Sequence, residues 1–419
     1  CNVCGPEDVL CHKYGLHLLA RSRGFEGANS RFHRVLRDAQ AGKPIKIAGS
    51  VSVGHGVTTS EQWLHVFGAW WEFYFTGGLQ IQNGALRATG TAHFSMCFKE
   101  QIDDDADLII TEFAINDQRT EENAENFELL LRQLLELPKR PAVLNLQVLS
   151  LGFTRLTAGG DLHTAIAEYY DTPVISLRNA LLPQLVETQS SIRSFFSAKR
   201  DGSVDAMHIN AKGHQMAGEL LTAYTQRQIC AMAQQDTLAS EYLIGTSEAS
   251  QLLLDLDKMP AYRLFSGLND PPALVLDPYC SSTRSEKHPL IPEYNDRWSN
   301  WTWSPPNGGK PKKYVVAQEP GAKIGFKVPV RGGGMGRVRM RYLRSKQYGL
   351  GIARCWLDED TAHEVRVDGY WGHAMNIAFT TVLSSNATKG EHMLWCEMTG
   401  HTNSPDGGRE FRFIGVDSV

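Results

Sequence analysis

Between about residues 44 and 235, short apolar runs alternate with stretches of three-to-four spacing. This is the pattern of strands and helices layered around a mainly parallel sheet. Pro44 to Ser50 reads as the first strand, and Ser60 is placed to cap a helix in which Trp63, Phe67, Trp70, Trp71 and Tyr74 share a face. Most of those aromatics are expected in the core. Asp107 to Ala114 reads as a buried strand, and the helix after it carries Ala124, Phe127, Leu130, Leu131 and Leu134 on one side before Pro138 and Pro141 end it. Ala142 to Val148 and Pro173 to Leu177 supply two further strands, and Ala211 to Tyr224 the last helix. The expected architecture is a three-layer α/β/α sandwich.

After about residue 240 the period falls to two. Ile324, Phe326, Val328 and Val330 alternate with other residues, as do Val338-Met340-Tyr342, Val365-Val367 and Phe411-Phe413-Gly415, with Gly, Asn and Asp turns between them. Alternation of this kind predicts an antiparallel β-sandwich. The expected boundaries are an α/β domain over 1–240 with a Cys-rich N-terminal extension at 1–40, a linker over 241–264, and a β-sandwich over 265–419.

Composition narrows the function classes. The formal net charge of -4 offers no basic field for nucleic acid. No run approaches the roughly 18 apolar residues of a membrane-spanning helix. Eight cysteines, with N-glycosylation acceptors at Asn300-Trp301-Thr302 and Asn386-Ala387-Thr388, point to an oxidising secretory compartment or the cell exterior, and a leader or anchor ahead of Cys1 is compatible with that. Cys1, Cys4 and Cys11 lack the second CxxC or histidine pair that would complete a zinc site, so disulfides are expected, Cys355 with Cys396 foremost.

Four blocks carry chemistry. Ile47-Ala48-Gly49-Ser50-Val51-Ser52-Val53-Gly54-His55-Gly56 runs a strand into a glycine-rich turn, which can present a serine Oγ and bring backbone N–H groups to an oxyanion. A plain loop, or a phosphate loop without its lysine, is the competing reading. A GxSxG elbow is not met, because Ala48 and Ser50 stand two residues before Ser50 and Ser52. The glycine segment Asn83 to Thr91 can bring the Gly90 N–H to a reacting carbonyl, or be an ordinary loop. Asn116 follows a buried strand, where open α/β sheets collect functional side chains; its amide can serve an oxyanion, or Asn116-Asp117 can be a turn and cap. Asp205 can orient His208 three residues later as a general base. The competing readings there are a metal site with His214, or helix capping near Asn210. His55, His65, His93 and His163 lack such partners and read as structural.

In order and in element, Ser50, Gly90, Asn116 and the Asp205/His208 pair resemble the four blocks of the SGNH hydrolases, or GDSL esterases. The resemblance spans roughly residues 40–230. Two departures stand out: the usual Gly-Asp-Ser is Ala48-Gly49-Ser50, and the usual Gly-x-Asn-Asp is Ala114-Ile115-Asn116-Asp117. The Gly49-Ser50-Val51-Ser52 form is similar to a eukaryotic branch, found in algae and fungi, whose SGNH domain precedes a β-rich region. The resemblance implies a flavodoxin-like fold, Ser50 as nucleophile, Asp205 and His208 as the other triad members, and Ser50, Gly90 and Asn116 as oxyanion donors. It implies no metal and no organic cofactor.

The family acts on lipid esters, thioesters and O-acetylated glycans. A secretory setting, an acidic balance and Trp298, Trp301, Trp303, Tyr370 and Trp371 in the β-rich half favour an acylated carbohydrate over another small ester, although the same aromatics serve equally as core or interface. An O-acetyltransferase would use the same triad. A glycosidase on this scaffold would use carboxylates such as Glu112 or Asp205. A non-catalytic glycan-binding protein would need none of these residues.

Overall fold

The structure is a computed structural model that describes residues 4–50, 54, 56–86, 89–153, 155–199, 201–242, 258–304, 311–331, 335–373 and 376–419, with the side chains of Ser50 and 236–242 outside that description. The chain divides into two compact units, Cys1–Thr91 with Gln101–Pro272, and Ala92–Glu100 with Ala273–Val419. Residues 243–257 of the expected linker lie outside the described residues.

In chain order the first unit runs α1 (Val9–Arg21), β1 (Arg23–Phe25), α2 (Ser30–Gln40), β2 (Ile45–Ser50), α3 (Trp63–Tyr74), β3 (Leu79–Asn83), the start of α4 (Thr91–Cys97), β4 (Leu108–Thr111), α5 (Glu121–Leu135), β5 (Ala142–Gln147), α6 (Gly160–Tyr169), β6 (Val174–Ser176), α7 (Leu177–Glu187), α8 (Ile192–Phe195), β7 (Phe196–Ala198), β8 (Val204–Ile209) and α9 (Ala211–Tyr242). Its main sheet has the order β1-β6-β5-β4-β2-β3. Five of these strands are parallel, and β1 joins β6 antiparallel at the edge. Numbered along the chain, the parallel strands follow the flavodoxin-like order 2-1-3-4-5, in which the winding reverses between β2 and β4.

Alternation explains the layers. Ile45, Ile47, Leu108, Ile110, Leu144, Leu146 and Ile175 enter one core with Phe32 and Leu36 of α2, Trp63, Phe67 and Trp71 of α3, and Leu220 and Leu221 of α9. On the opposite face α5 packs against β5 and α6. Residues 8–40, expected as an extension, supply a core helix and an edge strand of this unit. Ser60 does not cap α3. Thr58 and Glu61 form a capping box around a 3-10 turn, and α3 starts only at Trp63 after Gln62.

Beyond α9 the chain returns to α5. The buried carboxylate of Glu128 accepts the N–H groups of Leu264 and Phe265 and the hydroxyl of Tyr170, and Arg132 donates to the Pro260 carbonyl at 2.9 Å.

The second unit is an antiparallel sandwich of β9 (Tyr279–Ser282), β10 (Tyr294–Asp296), β11 (Ser299–Trp303), β12 (Lys312–Ala317), β13 (Lys323–Val330), β14 (Val338–Arg344), β15 (Ile352–Leu357), β16 (Val365–Asp368), β17 (Ile377–Ser384), β18 (Gly390–Met398) and β19 (Phe411–Ser418). One sheet is ordered β10-β13-β18-β15-β16 and the other β11-β12-β19-β14-β17, with β9 also on β19. Ile324, Phe326, Val328 and Val330 meet Met340, Tyr342, Phe411 and Phe413 between them. Cys355 and Cys396 are cross-strand partners joined by a disulfide. Segment 92–100 is bound into this unit by the Cys97–Cys280 disulfide and by Arg339, which donates to the Ala92 carbonyl at 2.6 Å. Cys4 pairs with Cys11, and Cys230 is disulfide-bonded as well. No helix among the described residues is long and apolar enough to cross a membrane.

The sandwich aromatics divide between core and surface. Trp298 is 5% exposed and edge-on to Phe411 in the core, whereas Trp301 is 37% exposed with the Arg412 guanidinium over its ring. Trp371 carries the Arg344 guanidinium in the same way.

Candidate active site

Strand order determines where polar residues gather. Adjacent parallel strands leave their carboxyl ends at one edge of the sheet, and the reversal between β2 and β4 opens a crevice there because the two connections leave in opposite directions. Ser50 is the last residue of β2, in register with Thr111, the last of β4. Its side chain, with Val51, Ser52, Val53 and His55, lies outside the described residues. Gly49 accepts the N–H of Gly84 at 2.8 Å through its carbonyl, and a Cβ there would stand 2.8 Å from Leu64 of α3, so Gly49 itself fits tightly against α3.

The structure brings Asp205 and His208 together. The residues of β8 that pair with β7 are Val204, Asp205 and Ile209, and the register slips between them. Residues 206–208 therefore bulge out of the ribbon, the usual way a strand re-aims a side chain. His208 Nδ1 lies 2.7 Å from Asp205 Oδ2, and Oδ1 accepts the Met207 N–H at 3.0 Å. Asp205 is 8% exposed, while the His208 side chain is half exposed. Nδ1 is thus the ring nitrogen turned to the carboxylate, which fixes the orientation of the imidazole. Two neighbours hold the bulge. Leu151 after β5 donates its N–H to the Ala206 carbonyl at 2.8 Å, and Asn210 caps α9 through Gly213 N–H while its amide donates to the Ser194 and Phe196 carbonyls.

His214 stands apart from that pair. Its Nδ1 accepts the Trp63 N–H at 3.4 Å, and burial holds its pKa down at about 4, with Glu61 opposing. Among the described residues, the His, Cys, Asp and Glu group close enough to hold a metal is Cys4, Asp8 and Cys11, whose sulfurs are joined as a disulfide.

Gly90 and Asn116 also meet. The Asn116 amide donates to the Thr89 carbonyl at 2.9 Å, and the carboxylate of Asp117 accepts from Thr91 N–H at 2.9 Å and Thr91 Oγ at 2.6 Å. Asn116 is exposed in the turn beyond β4, and its amide carries a second N–H besides the one given to Thr89. Thr91, Asp117 and His163 do not stand out by residue type alone. The signal for the first two is the order of the sequence itself, a threonine after the candidate oxyanion glycine and an aspartate after the candidate oxyanion asparagine.

The second unit holds further histidine–carboxylate pairs: His288 with Glu100, whose carboxylate also accepts from Ser285 Oγ, His363 with Asp360 at 2.8 Å, and His392 with Asp358. His392 Nδ1 lies 2.7 Å from Asp358 Oδ2, but its Nε2 is committed to the Thr388 carbonyl at 2.7 Å.

No family model matches the chain, and no curated protein matches its sequence. Its fold is similar to two crystal structures of a two-domain esterase, CEX, active on acetylated mannans. One, co-crystallised with mannopentaose, is 17% identical with a TM-score of 0.69 and covers 96% of this chain and 97% of that one. The other, also 17% identical, has a TM-score of 0.67 and covers 96% and 98%. At this identity the likeness establishes a shared two-domain fold over nearly the whole length of both chains.

Proposed function

We propose that the protein is a serine esterase of the SGNH type that removes acetyl groups from a carbohydrate in the secretory pathway or outside the cell. The observation that carries this reading is the Asp205–His208 pair, 2.7 Å apart on a bulge of the β7–β8 ribbon, in the same unit as a main sheet whose reversal point ends in Ser50 on β2 and is followed by Asn116 beyond β4. The fold shared with an esterase active on acetylated mannans supports the choice of an acylated sugar, and the disulfides support the compartment.

In this mechanism His208 Nε2 takes the Ser50 hydroxyl proton as Oγ adds to the acetyl carbonyl. Asp205 keeps the imidazole in the required tautomer and stabilises the imidazolium. The Ser50 and Gly90 N–H groups and the Asn116 amide receive the oxyanion. The proton then passes to the departing sugar hydroxyl, and water attacks the acetyl-enzyme with His208 again as base.

The test is hydrolysis of p-nitrophenyl acetate and acetylated mannan by the wild type, Ser50→Ala and His208→Ala, with a fluorophosphonate probe located by mass. Hydrolysis and a Ser50 label confined to the wild type are expected. A folded wild type that is inert and unlabelled, or a Ser50→Ala variant with full activity, overturns the proposal.

A further inference from the structure

Asp117 is 5% exposed as a residue, and a carboxylate buried that far must be matched by donors. All of its described partners converge on one turn and its backing. Thr91 supplies N–H to Oδ1 and Oγ–H to Oδ2. Beside the carboxylate, His163 Nε2 approaches Oδ2 to 3.0 Å without hydrogen-bond geometry, and the imidazole is stacked on Phe127 with centroids 4.1 Å apart.

Gly90 closes the arrangement from the other side. A Cβ at that position would stand 2.1 Å from Asp117 Oδ1, so the carboxylate packs against the glycine's bare Cα. Asp117 cannot retreat either. A Cβ on Gly159 would fall 2.6 Å from the Asp117 carbonyl and 2.7 Å from its Cβ, which means α6 already begins against its backbone. With the Asn116 amide on the Thr89 carbonyl, two consecutive side chains clamp residues 89 and 91 on either side of Gly90.

We propose that Asp117 is a positioning residue that orients the Gly90 N–H for the oxyanion, acting through Thr91 and touching no reacting atom. This rests on the esterase reading above. Preorganised donors count because they need not reorient as charge develops. A turn free to rotate would lose that advantage in the transition state and leave ground-state binding intact.

The test compares wild type, Asp117→Ala, Asp117→Asn and Thr91→Val on p-nitrophenyl acetate, with kcat normalised to the end-point stoichiometry of fluorophosphonate labelling. Asp117→Ala is expected to lower kcat per labelled site roughly 100-fold with KM moved less than about threefold. Asp117→Asn can still accept the Thr91 N–H and pair with its hydroxyl, so it should recover most of that loss. Thr91→Val should fall between them, and it carries the test if Asp117→Ala does not fold. If labelling falls and kcat per labelled site stays within about threefold of wild type in Asp117→Ala and Thr91→Val, Asp117 is only structural and the proposal fails. If the folded wild type neither hydrolyses nor labels, it is the esterase reading that fails.

Discussion

Above pH 6.5 the imidazole of His214 is neutral in folded and unfolded chains alike, and its burial against Trp63 costs no protonation energy. The folded pKa, about 4, lies below the ordinary 6.5, so the unfolded state takes up the proton first. Stability is therefore whole above pH 6.5 and declines as pH falls towards 4, by at most about 1.4 kcal/mol per unit from this group. Thermal melts of wild type and His214→Gln between pH 7 and 4.5 should show the shallower decline in the variant; parallel slopes would remove His214 from the account. At the candidate site, Asp205→Ala should lower kcat roughly 10²- to 10⁴-fold with KM little changed, because the imidazole loses the partner that sets its tautomer. Steady-state kinetics on p-nitrophenyl acetate checks this. Asp205 and His208 are legible in the chain alone because an aspartate three positions before a histidine is a local pattern. Asp117 is not, since its value depends on Thr91 and His163, 26 residues before it and 46 after it.

The elements most legible in the chain are those whose burial is regular. Leu108 to Thr111 and Ala142 to Gln147 are buried at every position, and β13 alternates along most of its length. Those that sequence reasoning missed owe their form to neighbours. β1 is three residues long and exists because β6 offers an open edge, and β8 is divided by a bulge that depends on the β5 loop and on Asn210. In the second unit, Asp417 is fully buried on β19 between Arg339, with Nε at 2.5 Å, and Arg341, with Nε at 3.4 Å. Burial draws Arg341 down to about 10 while Asp417 opposes that shift. Asp417→Ala would leave two guanidinium groups buried without their carboxylate, so it should destabilise the sandwich by roughly 3–5 kcal/mol. Calorimetry would register this as a lowered transition for the second unit, and an unchanged melt would mean that the pair relaxes to other partners.

On the scale of the whole molecule, both acceptor asparagines stand at exposed positions, Asn300 on β11 and Asn386 after β17. Protein passed through a eukaryotic secretory pathway should lose mass at both on enzymatic deglycosylation, and Asn300→Gln with Asn386→Gln should abolish the shift. Removing the Cys97–Cys280 bridge by Cys97→Ala should cost roughly 2–5 kcal/mol, read as a fall in denaturation midpoint. The same bridge sets a timetable for biogenesis. Cys4 and Cys11 are seven residues apart and can close as soon as they emerge, whereas Cys97 precedes its partner by 183 residues. At about 5–20 residues per second it waits roughly 10 to 40 s as a bare thiol while later chain appears. Segment 92–100 meanwhile has to stay out of the nascent α/β unit whose sequence it interrupts. Yield should therefore depend on what guards that thiol during synthesis. A slower ribosome prolongs its exposure, and a disulfide isomerase corrects the mispairings that follow.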